Sequence, residues 1–142
     1  MNPKSGSFNV DLRLSRHMSL FSCLTAEKEI LHTIYFQILD SHLCTFEPNI
    51  ASLSLKLVNA TMSVFLSIAN NPQFMPTAKK FHYQFNLRDF SKIVQNLMMS
   101  EPQLYRGNPL GIVRMWTHEC MRIFHDRLIF EEDRDADRKS VV

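Results

Sequence analysis

Glycine is nearly missing from this sequence. Its 142 residues contain three, Gly6, Gly107 and Gly111, where average usage would place about ten. The shortage excludes the common phosphate cradles. A P-loop needs a Gly-x-x-x-x-Gly-Lys run and a dinucleotide fingerprint needs clustered glycines, because only backbone without Cβ comes that close to phosphate. Neither run is present, so any nucleotide the chain touches is held largely by something else. Cysteine is also sparse: Cys23, Cys44 and Cys120 are odd in number and far apart. That pattern fits buried thiols in a reducing compartment better than a disulfide framework or a zinc site. Charge of one sign is absent too. Sixteen basic against fourteen acidic residues leave a net charge of +2, which gives no footprint for nucleic acid. The first seven residues lack the apolar core of a signal peptide, and no 18-residue apolar run suggests a membrane span. The expectation is one domain in a cytosolic, reducing environment, with no nucleic-acid and no membrane partner.

Catalytic patterns are missing as well. His118-Glu119 lacks the second histidine four residues on that a metalloprotease helix requires. His118 and His125 are seven apart and could share a helix face, but no third ligand stands near them, so no metal site is expected. Neither Cys23 nor Cys120 is marked as a nucleophile by a base and an orienting partner, and no Gly-x-Ser-x-Gly elbow occurs. These absences argue against an autonomous enzyme.

What is present is helical periodicity in a chain that is 45% hydrophobic. Residues 1–9 are small and polar and read as disordered. Residues 10–23 alternate loosely and read as an extended arm, with Met18 to Cys23 a possible strand. Thr25 is a candidate N-cap for a first helix in which Ile30, Ile34, Ile38, Leu31 and Tyr35 step at helical spacing to about His42. Ile50, Leu53, Leu57, Ala60, Thr61, Val64 and Ile68 repeat at three and four, giving a second helix that Asn70-Asn71-Pro72 ends. Residues 71–85 form the longest irregular stretch. Within it Phe81, Tyr83 and Phe85 alternate with polar residues, as in an extended segment pinned on the core. Asn86 then caps a third helix, with Asp89 placed to complete a capping box and Leu87, Phe90, Ile93, Val94 and Leu97 as its buried stripe. A fourth helix is expected from about Pro109 to Ile129, burying Val113, Trp116, Cys120, Ile123 and Phe124, with Glu119 paired to Arg122. The charged tail from Glu131 is expected to fray into solvent.

Two arginine sites stand out. Arg13 and Arg16 lie three residues apart before an apolar segment. Arg88 falls in the first turn of a helix, where its charge opposes the dipole at a cost of a few tenths of a kcal/mol. An anion at that helix start would offset the cost. The plainer alternative is a surface ion pair with Asp89 or the acidic tail.

Three segments carry a resemblance, in this order. They are Arg13-x-x-Arg16-His17, the run Lys80-Phe81-His82-Tyr83-Gln84-Phe85-Asn86-Leu87-Arg88-Asp89-Phe90-Ser91-Lys92-Ile93-Val94-Gln95, and Arg114-Met115-Trp116-Thr117-His118-Glu119 with Arg122-Ile123-Phe124-His125-Asp126-Arg127-Leu128. Together they resemble dynein heavy chains over about residues 10–134, most closely the third AAA+ module of axonemal chains. Asn96 departs from the glycine usual there and Leu14 from the common phenylalanine.

The resemblance implies an all-α fold, a four-helix AAA+ lid-type bundle with a short extended N-terminal arm. It divides the chain into a disordered start (1–9), the end of a large subdomain (10–24), the helical lid (25–130) and a charged tail (131–142). It implies that Arg88 occupies the sensor II position, which reaches the γ-phosphate of the same module's nucleotide. It also implies that Arg13 or Arg16 acts as an arginine finger toward the adjacent module, stabilising phosphoryl charge. Walker A, Walker B and sensor I belong to a large subdomain upstream, so the implied chain is a fragment that binds no cofactor alone. ATP or ADP with magnesium would occupy the intact ring. The implied partners are the other AAA+ modules of the heavy chain, with intermediate and light chains and microtubules reached through the whole motor. The implied setting is the cytoskeleton and the ciliary axoneme. The alternative reading is a non-enzymatic helical adaptor that binds a partner through a bundle groove.

Overall fold

The computed structural model describes residues 11–19, 21, 26–77, 79–105 and 107–141. Among them the chain is helical and forms no strand. Four long helices match the periodic segments: α2 (Lys28–Leu43), α4 (Ser54–Asn70), α5 (Leu87–Leu97) and α6 (Pro109–Ile123). The bundle is not limited to four. Single turns α1 (Leu12–Ser15) and α3 (Pro48–Ala51), and a further helix α7 (Glu131–Val141), join them. Short 3-10 turns lie at Pro72–Phe74 and His125–Arg127.

α4 is the central helix, in contact with α2, α5, α6 and α7. It buries Leu57, Val58, Met62, Phe65 and Ile68, together with Thr61. The Thr61 hydroxyl bonds back to the Leu57 carbonyl and accepts the Trp116 indole N–H at 2.8 Å, so the polar tip of a half-buried tryptophan is satisfied inside the bundle. Val113 and Trp116 are half-buried rather than buried; Ile112 takes the innermost position of α6. The apolar stretch Pro48–Asn70, at 23 residues, is long and apolar enough to cross a membrane, against the reading of the sequence. Here it is a core element, broken between α3 and α4 at Ser52–Leu53 and packed on its neighbours. Asp40 accepts a hydrogen bond from Ser54 at 2.8 Å, which ties α2 to the start of α4.

α2 presents a choice of faces, and packing selects one. Leu31, Leu39 and Leu43 are buried, whereas Ile30, Ile34 and Ile38 are 51, 46 and 39% exposed along the outer face. Its N-cap is Glu27, without a side-chain cap bond; Thr25 lies outside the described residues. The arm is not extended at Asp11–Arg16: Asp11 caps the helical turn α1, which buries none of its residues. Cys23 and the rest of the candidate strand, apart from Met18, Ser19 and Phe21, lie outside the described residues.

α5 follows its sequence signals closely. Asn86 accepts the Arg88 N–H at 2.9 Å, and Asp89 accepts the Asn86 N–H at 3.2 Å, which completes the capping box. Phe90, Ile93, Val94 and Leu97 are buried, and Phe90 lies against Tyr35 and Phe65 at ring-centroid distances of 4.3 and 5.9 Å. Asn96 donates to Glu119 at 2.6 Å, and Glu119 also holds Arg122 at 2.7 Å, so the residue that departs from the usual glycine bridges α5 to α6.

The two described glycines both serve the entry to α6. Gly107 has φ +63°, a left-handed value that favours glycine. A Cβ on Gly111 would stand 2.9 Å from the Tyr105 ring, which lies against the first turn of α6. Asn108 caps that turn by accepting the Gly111 N–H.

Candidate functional site

The site begins where the chain turns into α5. The segment before it is not a straight strand: Tyr83 N–H bonds back to the Lys80 carbonyl and Gln84 N–H to the His82 carbonyl. The turn separates the three aromatics. Tyr83 is buried, Phe85 is half-buried, and Phe81 is 73% exposed. Tyr83 accepts the Ile129 N–H at 2.9 Å and donates to Asp133 at 3.0 Å. Lys80 meets the same Asp133 oxygen at 2.6 Å. Asp133 is therefore 1% exposed, and the segment expected to fray is the docked helix α7.

Beyond that turn the capping box projects Arg88 from α5. Arg88 is exposed, and among the described residues no carboxylate forms an ion pair with it. Among the described residues, the simple surface pair with Asp89 or the tail does not form. Asp89 is taken by Arg127, whose guanidinium reaches both carboxylate oxygens at 2.8 and 3.1 Å. Arg127 also donates to the Gln84 carbonyl at 3.1 Å and stacks 5.1 Å from the Phe85 ring centroid. Burial pushes the Asp89 carboxyl up, but the Arg127 hydrogen bonds and charge, the Asn86 amide and Lys92 outweigh it and hold it below its ordinary value. Asp133 is likewise raised by burial and lowered further by Lys80 and Tyr83. Glu119 is lowered on balance by Arg122 and Asn96 against its own burial.

A pH dependence follows. All three carboxylates have folded values below their unfolded ones, so each contributes stability at neutral pH that is lost as protons bind. The melting temperature is expected to start falling as pH drops towards the ordinary carboxylate range, below about pH 5, and to keep falling as pH passes through the lowered folded values. A melt unchanged at pH 3 would contradict the assignment.

Arg13 and Arg16 both lie exposed around α1; Arg16 Nε is 3.0 Å from His17 Nε2. Neither is brought into the Arg88 cluster by any contact among the described residues. His118 is exposed on α6, 3.4 Å from Glu119, while His125 is buried in the 3-10 turn that ends α6 six residues earlier than expected, at Ile123. Among the described residues no three His, Cys, Asp or Glu side chains converge as metal ligands do. Cys120 is buried, and Cys44, expected to be buried as well, is exposed.

Arg127 and Asp133 are the site residues that sequence reading missed. Arg127 stands 38 residues from Asp89, and Asp133 stands 53 from Lys80 and 50 from Tyr83, so no periodicity connects the partners.

Comparison with known proteins converges on the same region. Residues 57–141 match the AAA+ lid domain, a span that takes in α5, α6 and the Arg127 and Asp133 contacts. The chain is 44% identical over 133 residues to the dynein beta chain of the flagellar outer arm of Chlamydomonas reinhardtii. It is 40% identical over 144 aligned positions to the ciliary dynein beta chain of Tripneustes gratilla, and 42% over 138 to the axonemal dynein heavy chain 17 of Homo sapiens. These alignments cover 94, 100 and 96% of this chain but 3% of each relative. An exposed arginine at a capped helix start, inside a helical bundle that matches the lid model over most of its length, leads to one conclusion: the chain belongs to the AAA+ lid domain family, as a short segment homologous to axonemal dynein heavy chains.

Proposed function

We propose that this chain is the nucleotide-sensing lid of a dynein heavy-chain module, most like the third. Arg88 approaches the γ-phosphate of nucleotide held by the large subdomain of the same module, and Arg13 or Arg16 reaches a neighbouring site. ATP-driven movement along microtubules in cilia is the activity it would serve, since its relatives are ciliary, flagellar and axonemal dyneins. The other AAA+ modules of the heavy chain are its immediate partners. The observation that carries the reading is that Arg88 extends from the α5 N-terminus with no ion-pair partner among the described residues, while its acidic neighbour is held by Arg127. A cation in that position is disfavoured by the helix dipole, and a phosphate would reverse the sign of the effect.

The chain contains no phosphate cradle of its own, so it should neither bind nor hydrolyse ATP alone. Calorimetric titration with ATP and magnesium is expected to give no measurable heat, and micromolar affinity would overturn the fragment reading. Arg88→Ala should change the melting free energy by less than about 0.5 kcal/mol, as for exposed residues without partners. Unfolding of α5 would make Arg88 structural and remove the sensor assignment.

The adaptor reading draws on one observation, the exposed Ile30, Ile34 and Ile38 row on α2. The size of the native polypeptide separates the two. Peptides of this sequence in a product of several hundred kilodaltons support the motor, and an abundant free product near 16.6 kDa supports the adaptor.

A further inference from the structure

Arg88 can sense a phosphate only if the start of α5 holds a fixed direction. Two of the restraints on that start are local: the Asn86 side chain on the Arg88 amide, and the Asp89 carboxylate on the Asn86 amide. Both would travel with α5 wherever it moved. The third is tertiary. Arg127 grips both oxygens of Asp89, bonds the Gln84 carbonyl just before the cap, and lies over the Phe85 ring. It thus holds the last residues of the turn and the first turn of the helix together from outside.

Arg127 is itself anchored. It closes the 3-10 turn His125–Arg127, and the chain continues directly through buried Leu128 to Ile129, whose N–H is held by Tyr83. Tyr83 and Lys80 are in turn held by Asp133 of α7. A continuous path therefore runs from α7 to the residue beside Arg88, by hydrogen bonds from Asp133 through Tyr83 to Ile129, along the backbone to Arg127, and by its fork to Asp89. A fork on a carboxylate fixes orientation as well as distance, which a single ammonium does not.

We propose that Arg127 is the positioning residue for Arg88, and that it couples the docking of α7 to the direction in which Arg88 meets nucleotide. This rests on the sensor reading of Arg88. Arg127 does not touch the phosphate; it acts through Asp89 and the α5 start.

The test uses the full heavy chain that carries this segment, with magnesium–ATP as the probe and the apparent KM and kcat as readouts. Arg88→Ala is expected to raise KM about tenfold, the size of one lost charge-assisted contact. Arg127→Gln is expected to raise KM about three- to fivefold, and the double variant no further than Arg88→Ala alone, because two residues acting through one contact are not additive. Arg127→Lys keeps the charge but not the fork, and is expected to behave as Arg127→Gln. Asp89→Asn keeps an acceptor for the Asn86 amide while weakening the fork, and should show the same fold-change and the same non-additivity; it carries the test if Arg127→Gln does not fold.

No effect of Arg88→Ala would overturn the sensor reading and this inference with it. An effect of Arg88→Ala with Arg127→Gln within twofold of the parent would overturn the positioning role alone. So would a double variant whose effects multiply, since a general loss of structure acts independently of Arg88. A parent-like Arg127→Lys would also overturn it, by making charge rather than geometry the cause.

Discussion

Replacing Phe90 with alanine is expected to destabilise the domain by about 3–5 kcal/mol, the range for deleting a fully buried aromatic ring. Phe90 is 0% exposed and lies where α2, α4 and α5 meet, against Tyr35 of α2 and Phe65 of α4. Three helices would face the cavity, and none can close it without leaving its other contacts. The Tyr35 hydroxyl is also fixed, 2.7 Å from Ser91 Oγ, so the ring beside the void is not free to tilt into it. For a chain of this length the loss corresponds to a fall in melting temperature of about 10–15 °C. A domain holding about 5–15 kcal/mol in total would keep little reserve. Phe90→Leu, which refills most of the volume, should cost less than half as much. Thermal melts of both variants at pH 7 check the ranking. A loss below about 1.5 kcal/mol for Phe90→Ala would mean that the junction relaxes and is not the centre of the core.

The second large effect is expected at Asp133. Asp133→Ala should cost about 2–3 kcal/mol, because it removes a buried charge that two other groups depend on. Lys80 loses its carboxylate and the Tyr83 hydroxyl loses its acceptor, although Lys80 retains enough exposure to recover some hydration. The consequence extends beyond energy. Without Asp133, α7 loses its buried polar anchor, and α7 is the element whose composition predicts fraying. Amide exchange should therefore quicken along residues 131–141 more than along α4. Uniform exchange across both helices would show that α7 unfolds only with the whole domain. Asp133→Asn keeps an acceptor for Tyr83 and should restore part of the loss. Acid should mimic the alanine variant in the parent chain, since protonating Asp133 weakens the same contacts.

The local features of this fold were legible along the chain. The α5 start was written in adjacent residues, Asn86 for the cap and Asp89 three further on, and its stripe of Phe90, Ile93, Val94 and Leu97 had one apolar face to bury. The Asn-Pro end of α4 and the Glu119–Arg122 pair were readable for the same reason. Such signals act within a turn or two of backbone, so spacing alone specifies them. The scarcity of glycine was equally direct: with three glycines, the sequence has no Gly-x-x-x-x-Gly-Lys run and no glycine cluster.

Other features needed the third dimension. In α2 two apolar rows, Ile30, Ile34 and Ile38 and the one with Leu31 and Tyr35, run at helical spacing, and the sequence does not choose between them. Packing on α4 chose the leucines, leaving Ile30, Ile34 and Ile38 outside. The partner of Asp89 was no neighbour on its own helix but Arg127, brought across 38 residues by the turn after α6. The acidic tail became a docked helix because Asp133 meets Lys80 and Tyr83 across the fold. In each case several partners were chemically equivalent in the sequence, and only proximity in the folded chain selected one. Residue types alone thus determined that this chain is helical and capped at Asn86. Tertiary packing decided that Arg88 has no ion-pair partner among the described residues, since it delivered a second arginine to the adjacent carboxylate.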